Sequence, residues 1–378
     1  MLSLGLGLGL TQTRAGGRRW TPAAIFGPSD TGLLFDARDP ATQYLTSMGI
    51  TNVSAPGNPA GLILSKTPGP TPGPEKLING DGSAVAGWSA ARGSEVITSV
   101  GGRIRVTAAS AAVMGVSQEI TGLVVGGFYR VTQTGFTGTV GNISNRLAAN
   151  AALASGLIMS SSFDLNEVFI ATAETMYVGC TAIPTAPGQY VEIDNMSVRE
   201  IPGYHGVQPT AGARPTYQST GLSFDGSDDR LMTTLKLGLS GTIMSRFNGD
   251  APNRALLGCT LGPNGHARLV LDSSGRLAAG VGLQSASVLS AGPDLRNAWH
   301  AGAVSWDGTT VKLYLDGSEV YSDAQVGSVN TTVDMAIGAL NSGGTATGFW
   351  SGQISDALVI DRAATPAEIL KLHNHWSA

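Results

Sequence analysis

The sequence has few charged residues, and this scarcity excludes several classes of partner. Only 13% of the 378 residues are charged, the formal net charge is −4, and no basic run is longer than the pair Arg18–Arg19. Proteins that bind nucleic acid present a concentrated basic surface, so we expect no nucleic-acid partner. The chain also lacks a zinc-type cluster of cysteine and histidine and a Gly-Lys-Ser/Thr phosphate-binding loop.

Cysteine and long apolar runs are also scarce. The two cysteines, Cys180 and Cys259, fall in different predicted domains, so we expect free buried thiols rather than a disulfide. No apolar run is long enough to cross a bilayer, and we expect no membrane insertion. Residues 1–10 alternate leucine with glycine and lack a basic start, so we interpret them as mature sequence rather than a signal peptide.

Glycine and small β-branched residues are abundant instead. The chain has 52 glycines and 18 prolines, together with many Ala, Ser, Thr and Val residues. This composition is typical of short strands joined by tight turns, because long helices need more Leu, Glu and Lys. We therefore predict an all-β fold.

Proline and glycine also mark the predicted domain boundaries. Residues 67–74 contain four prolines and two glycines, which predicts a linker, and Pro202-Gly203 closes the strand-rich block that follows. The clearest strand patterns lie at residues 31–35, 104–107, 128–132, 175–178, 190–193, 222–224, 300–306 and 311–315. The composition thus predicts one β-sandwich on each side of residue 203.

Turn and helix signals are clear at a few places. Asp307-Gly308 predicts a hairpin turn, and Thr365 to Glu368 form a capping box that predicts a C-terminal helix with Ile369, Leu370 and Leu372 on its apolar face. Asp39-Pro40 predicts the start of a short helix that ends near Gly49.

The N-terminal segment, residues 1–29, has no acidic residue and contains three arginines, Arg14, Arg18 and Arg19. Glycine-rich strands hold little structure alone, so such a segment needs a partner to order it. The two interpretations are attachment to another protein and a flexible terminus.

The C-terminal block resembles the concanavalin A-like, laminin-G-type sandwich that is common in phage and prophage structural proteins. The residues that carry the resemblance are Trp299-His300, Val304 to Thr309, Val311 to Gly317, Ile337-Gly338-Ala339, Gly352-Gln353-Ile354 and Ile360 to Ala363. Upstream pieces at residues 32–36, 61–64, 214–217 and 222–229 resemble one phage-associated arrangement. This resemblance implies a discontinuous sandwich, residues 30–72 and 203–378, with residues 73–202 inserted in it.

The insert is similar to a carbohydrate-binding jelly roll, on the pieces Leu77 to Asp81, Gly87-Trp88 and Asp194 to Glu200. The two resemblances together imply a phage tail-fibre, head-fibre or spike subunit, located on the virion and exposed to the extracellular medium. Such a subunit would bind bacterial surface polysaccharide without hydrolysing it. It would attach to other virion proteins through residues 1–29 and, by analogy, form a trimer. The alternatives are a purely structural or decoration component of the virion and a capsule depolymerase.

Hydrolysis of a glycan needs two carboxylates that face one sugar. The retaining enzymes with this sandwich fold carry Glu-x-Asp-x-x-Glu on one strand. Glu192-Ile193-Asp194 begins in this way, but Ser197 stands where the third carboxylate is needed. We therefore expect no enzymatic activity and interpret the two acids as solvent-facing or metal-facing.

Calcium is the cofactor that the sequence allows, because this ion prefers clustered oxygen ligands. Jelly rolls like the insert bind calcium between their first and last strands, which implies Asn79, Asp81 and Asp194 as ligands. In the C-terminal sandwich the candidates are Asp225, Asp228 and Asp356. Turn capping is the alternative role for an aspartate beside a glycine.

The predicted sugar-contacting residues lie in or after the loop 341–348. Aromatic rings stack on sugars, and the loop position of Trp350 predicts an exposed ring, with Asn341 beside it as a polar contact. Trp299 and Trp306 lie in predicted core strands, and burial is the better interpretation for them.

Overall fold

The computed structural model describes residues 20–67, 72–134, 137–161, 164–261, 264–283, 288–329 and 332–378. The strands described before the linker are β1 (Gly32–Asp36), β2 (Gln43–Tyr44) and β3 (Leu62–Ile63). The strands described in the insert are β4 (Trp88–Ala90), β5 (Val96–Ser99), β6 (Ile104–Thr107), β7 (Met114–Ile120), β8 (Phe128–Gln133), β9 (Thr137–Gly138), β10 (Ile143–Ala148), β11 (Leu157–Ser160), β12 (Leu165–Ile170), β13 (Met176–Ala182), β14 (Tyr190–Ile193) and β15 (Ser197–Glu200).

The C-terminal block continues with strands and ends in a helix. The strands described there are β16 (Gly206–Val207), β17 (Thr216–Gln218), β18 (Gly221–Asp225), β19 (Leu231–Thr233), β20 (Gly241–Gly249), β21 (Arg254–Leu261), β22 (Asn264–Leu271), β23 (Leu277–Gly282), β24 (Val288–Ala291), β25 (His300–Trp306), β26 (Thr310–Leu315), β27 (Ser318–Ala324), β28 (Met335–Ile337), β29 (Leu340–Ser342), β30 (Thr345–Thr347) and β31 (Ser351–Ile360). The helix is α1 (Pro366–Trp376), and short 3₁₀ helices lie at Pro22–Ile25, Pro40–Thr42 and Ala211–Ala213. The predicted all-β fold with a C-terminal helix is confirmed.

Two sheets form the C-terminal sandwich. Sheet A has the strand order β17-β18-β31-β20-β25-β26-β27, and β1 also pairs with β31. Sheet B has the order β2-β3-β16-β19-β28-β21-β22-β23-β24, with β29 and β30 attached beside β21. Their facing side chains form one apolar core that includes Trp306, Phe247 and Leu269. Alternate residues of each strand therefore point away from this core.

The segment before the linker contributes strands to both of these sheets. β1 is antiparallel to β31, with Leu33 opposite Val359, and β3 is antiparallel to β16, with Ile63 opposite Gly206. These pairings join strands that are separated by more than a hundred residues of chain, so the sandwich is assembled only after the chain has returned from the insert.

The insert has its own sheets and its own core. Two of its sheets have the orders β11-β10-β13-β7-β4 and β5-β6-β14-β9, and a smaller sheet has the order β12-β8-β15. Their core includes Trp88, Tyr129 and Phe169. Cys180 is buried in this core and Cys259 in the core of the C-terminal sandwich, and both thiols are free. This confirms the prediction for the cysteines.

The terminal helix lies on the outer face of sheet A. Its capping box is present, since the Thr365 side chain accepts a hydrogen bond from the Glu368 backbone and Glu368 accepts one from Thr365. Ile369 and Leu372 are buried as predicted, whereas Leu370 is 46% exposed and Trp376 takes its place in the packing. At roughly 1.5–3 kcal/mol for each large apolar side chain that is buried, these contacts hold the helix on the sheet.

The described part of the N-terminal segment packs against this helix. Lys371 lies over the Trp20 ring at 4.7 Å, and Ile25 is buried beside the helix in the same apolar cluster. The predicted attachment role concerns residues 1–29, of which residues 1–19 lie outside the described residues.

Two turn predictions had different outcomes. At Asp307-Gly308 the aspartate carboxylate accepts hydrogen bonds from the Thr309 and Thr310 backbones, and Gly308 has φ of +92°, as the hairpin requires. The prediction of a short helix from Asp39 to Gly49 is wrong beyond the first turn, at Pro40–Thr42. Asp39 does cap it through the Ala41 backbone, but Gln43 and Tyr44 then pair with β3, because sheet hydrogen bonds and burial outweigh local helix signals.

Candidate functional site

Trp350 is buried in the sandwich core, so the prediction of an exposed sugar-stacking ring is wrong. The side chain is 0% exposed and its ring packs edge-on against Phe247, with centroids 5.5 Å apart. Gly249 makes room for the indole, because a Cβ there would lie 2.4 Å from the Trp350 ring. The Trp350 ring can therefore turn inwards because Gly249, 101 positions earlier in the chain, has no side chain.

Asn341 is also buried, and its side chain holds a turn. Nδ2 donates to the Asp334 carbonyl at 2.8 Å, and Oδ1 accepts from the Gly344 backbone at 2.9 Å. Because both polar groups bond to the backbone and the residue is only 3% exposed, the predicted ligand contact is replaced by a structural role.

The predicted calcium ligands of the insert are engaged elsewhere. Asp194 pairs with Arg103, Asp81 accepts hydrogen bonds from the backbone and hydroxyl of Ser83, and the Asn79 amide donates to the Ala86 carbonyl. Asn79 and Asp81 line one surface cavity, whereas Asp194 is not among the residues that line it.

Glu75 links the first and last segments of the insert instead. Its Oε1 accepts hydrogen bonds from the Leu77 and Val198 backbones, and its Oε2 accepts one from the Ser197 hydroxyl at 2.5 Å. Sequence reasoning missed Glu75, which lies directly after the proline-rich linker. It occupies the junction that the resemblance assigned to calcium.

The acidic pair Glu192 and Asp194 faces arginines rather than solvent or metal. Glu192 is 4% exposed and forms ion pairs with Arg105 and Arg103, and Arg103 also pairs with Asp194. Two guanidinium groups thus balance the two carboxylates, which stabilise the insert rather than face a sugar.

Asp225 and Asp228 meet at the turn between β18 and β19, together with Asp229. Ligand oxygens of the three carboxylates lie within 4.8 Å of one another. Asp225 accepts from the Ser227 backbone at 2.8 Å, and Asp229 accepts from the Asp225 backbone at 3.0 Å. The sequence predicted Asp225 and Asp228 as calcium ligands but not Asp229, although all three lie in one run of five residues.

The electrostatics of this cluster are unbalanced. Asp229 is only 6% exposed, and burial, together with the charges of Asp225 and Asp228, raises its pKa to about 6. None of the three carboxylates takes part in the ion pairs found among the described residues. The adjacent Arg230 donates to the Asp228 backbone carbonyl. Three hard oxygen donors without a cation fit a calcium ion.

Asp356 lies apart from this cluster and is not a third ligand of it. It is 2% exposed on β31, where it accepts hydrogen bonds from Arg38 at 2.9 Å and from the Ser355 hydroxyl at 2.7 Å. Burial raises its pKa to about 6, against the lowering effect of Arg38. Strand pairing places it opposite Asp36 and Arg246, so Asp356 belongs to a buried charge network of sheet A.

An arginine-lined cavity lies against sheet B. It has a volume of about 300 Å³, and its lining includes Arg254, Arg268, Val270 and Ala278. Arg268 lies between Ala267 and Leu269, which both belong to the sandwich core, so strand alternation directs the arginine to the outer face. Sequence reasoning missed this arginine, and the alternation in β22 is the signal that marks it.

A protein-family model matches residues 244–370, and its description is the concanavalin A-like lectin/glucanases superfamily. The sandwich has a concanavalin A-like, laminin-G-type fold. This finding agrees with the resemblance in the C-terminal block and supports a lectin-type fold. No curated protein matches the chain.

Several solved structures resemble part of the chain. They include a heptameric SAP-like pentraxin from Limulus polyphemus, with 22% identity, a TM-score of 0.34, and coverage of 40% of this chain and 80% of the pentraxin. The CBM40 domain of a Ruminococcus gnavus IT-sialidase has 16% identity, a TM-score of 0.31, and coverage of 37% and 84%. The NanB sialidase of Streptococcus pneumoniae has 19% identity, a TM-score of 0.30, and coverage of 35% of this chain and 24% of its own.

Within the described residues, no helix is long and apolar enough to span a membrane.

Proposed function

We propose that this chain is a glycan-binding protein that uses the concanavalin A-like sandwich to hold polysaccharide from a bacterial surface, without hydrolysing it. The observation that carries the proposal is the match of residues 244–370 to the lectin/glucanase family. The terminal helix covers the outer face of sheet A, whereas a cavity lined by both polar and apolar side chains lies against sheet B. A sugar-sized cavity on a rigid sheet is a common form of binding site.

The carboxylates support binding rather than hydrolysis. A glycosidase keeps one carboxylic acid and one carboxylate on either side of a sugar. Here Glu192 and Asp194 are paired with arginines, and Asp356 is buried against Arg38. The strongest acidic candidates of the sequence are therefore engaged in ion pairs.

A calcium ion at Asp225, Asp228 and Asp229 is part of the proposal. The fit of the donor set and the lack of a balancing cation support it. Isothermal titration of the calcium-stripped protein with CaCl₂ tests it, with Asp228→Asn as the deficient variant and Asp250→Asn as the control. Equal heats from all three proteins would exclude this site.

A place on a phage particle is the finer part of the proposal. Its support is the resemblance of the C-terminal sandwich and its upstream pieces to phage structural proteins, and residues 1–29 remain the proposed attachment segment of a trimer. A chain that begins at Trp20 tests this. We expect it to melt at the same temperature as the full chain and to fail to join virions. Normal incorporation would place the attachment elsewhere.

The central experiment is a glycan array probed with the full chain, followed by incubation with the glycans that bind. We expect specific binding without release of reducing sugar. Binding to none of the glycans would favour a purely structural role in the virion. Release of reducing ends by the purified chain would establish a depolymerase.

A further inference from the structure

The side chain of Arg268 lies flat across sheet B in a gap made by two glycines. Strand pairing places Arg268 opposite Gly258 on β21 and opposite Gly280 on β23. A Cβ at Gly280 would lie 2.8 Å from Arg268 Nε, and a Cβ at Gly258 would lie 2.6 Å from Arg268 Cβ. The two glycines leave the space that the Arg268 side chain occupies on the sheet.

Neither arginine of the cavity has a protein partner for its inner nitrogen. The Nε atoms of Arg254 and Arg268 are both buried without a hydrogen-bond partner in the described part of the chain. Neither residue takes part in the ion pairs found there. Burial lowers the pKa of Arg268.

The one acidic side chain found in the cavity lining is already neutralised. Asp272 accepts hydrogen bonds from the Ser290 hydroxyl at 2.6 Å and from the Ser274 backbone at 2.7 Å, and it forms an ion pair with Arg276. Its charge is thus shared with groups other than Arg254 and Arg268. A half-buried guanidinium whose Nε has no hydrogen-bond partner among the described residues costs free energy, and an anion that enters the cavity offsets part of that cost.

We propose that the cavity lined by Arg254 and Arg268 binds the carboxylate of an acidic sugar, so that the ligand is an anionic polysaccharide. This inference rests on the proposed glycan binding and names its substrate class. A guanidinium matches a carboxylate with two parallel hydrogen bonds. A volume of about 300 Å³ lies at the lower end of ligand cavities, and it suits one sugar residue rather than a long segment. Val270 and Ala278 give the cavity part of its apolar wall, and Arg254 and Arg268 supply its cationic groups.

The test measures binding of the full chain to alginate oligosaccharides, to the same oligosaccharides after reduction of their carboxyl groups, and to neutral dextran. Polysialic acid and a phosphate-bearing teichoic acid separate carboxylate from phosphate as the recognised group. We expect binding to one or both carboxylate polymers and at least tenfold weaker binding to the reduced, neutral and phosphate-bearing ones.

Three variants locate the contact. Arg254→Gln and Arg268→Gln are expected to weaken binding of the acidic polymer at least tenfold. Gly280→Ala is expected to do the same without removing a charge, because the new methyl group displaces the Arg268 guanidinium. Arg296→Gln is the control, since Arg296 is an arginine of the same sandwich that is already paired with Asp294. Melting temperatures show whether each variant is folded. If Arg268→Gln does not fold, Arg254→Gln alone tests the contact.

The outcomes separate the two proposals. Acidic polymers that bind the arginine variants as tightly as the original chain would overturn the inference. Binding of neutral glycans only, or of the reduced oligosaccharides with equal affinity, would overturn it and leave the proposed glycan binding intact. Preferential binding of the phosphate polymer would overturn the carboxylate assignment. Failure to bind any glycan on the array would overturn the proposed function itself.

Discussion

Replacing Asp229 with asparagine is expected to stabilise the calcium-free protein at neutral pH. Asp229 is buried beside Asp225 and Asp228, and its pKa rises from 3.8 to about 6 on folding. A carboxyl group whose pKa is raised by folding is favoured in its neutral form. The folded state therefore loses stability as the pH rises from below the unfolded-state pKa of Asp229 to above its folded-state pKa. The loss is complete above about pH 7.

The magnitude follows from the two pKa values. At about 1.4 kcal/mol for each pH unit between 3.8 and about 6, the charged Asp229 costs about 3 kcal/mol. Asparagine has the same shape, and its carbonyl oxygen is able to keep the hydrogen bond from the Asp225 backbone. We expect Asp229→Asn to gain about 2–3 kcal/mol above pH 7 and almost nothing below about pH 3.5.

The assay is urea unfolding at several pH values in the presence of a chelator. The exposed Asp250→Asn is the matched control, for which we expect no pH-dependent difference. The same experiment with calcium separates the two roles of the cluster, because an ion bound by three carboxylates stabilises the original chain and reverses the advantage of the variant. A variant that is destabilised equally at low and neutral pH would refute the reasoning, since Asp229 would then act only through its hydrogen bond.

Three further predictions concern core packing and helix capping. Gly338→Ala is expected to lower the free energy of unfolding in urea by about 3 kcal/mol, because its Cβ would lie 2.1 Å from the Phe224 ring at a φ of +74°. The control Gly93→Ala has a φ of +89° but lies in open space, so it should cost only about 1 kcal/mol. Equal costs for the two variants would contradict the packing argument. Trp350→Ala should cost about 3–5 kcal/mol, as expected for a core ring, and a cost below about 1 kcal/mol would mean that the ring is exposed. Thr365→Ala removes the helix cap and should cost about 1 kcal/mol in thermal unfolding, and no change would show that the helix is held by packing alone.

Several local features could be predicted from the sequence because they depend on neighbouring residues. The Asp307-Gly308 hairpin and the Thr365 capping box need only a few consecutive residues, and both are present in the structure. The strand runs in both blocks follow from short segments of β-branched and aromatic residues. The separate burial of Cys180 and Cys259 followed from the division of the chain at residue 203.

The candidate site could be predicted only in part. Asp225 and Asp228 lie in one short acidic run, so the sequence alone indicated that they meet. In the insert, Arg103 pairs with Asp194, and no local pattern in the sequence indicated this ion pair because the two residues are distant in the chain. Asp356 does not join Asp225 and Asp228 as a calcium ligand, because strand pairing and Arg38 place it in a buried charge network. No local pattern in the sequence indicates that network.

By itself, then, the sequence determined the all-β class through its composition and its short runs of β-branched and aromatic residues. It also determined the turns, the capped terminal helix and the acidic run after β18, because each of these depends on contacts between residues close in the chain. Only the tertiary structure decided which way single side chains point. Gly249 admits the Trp350 ring into the core, and Gly280 leaves the space in which Arg268 lies on sheet B. Both contacts join residues on different strands, and strand pairing is fixed by burial and register over the whole sandwich rather than by local preference.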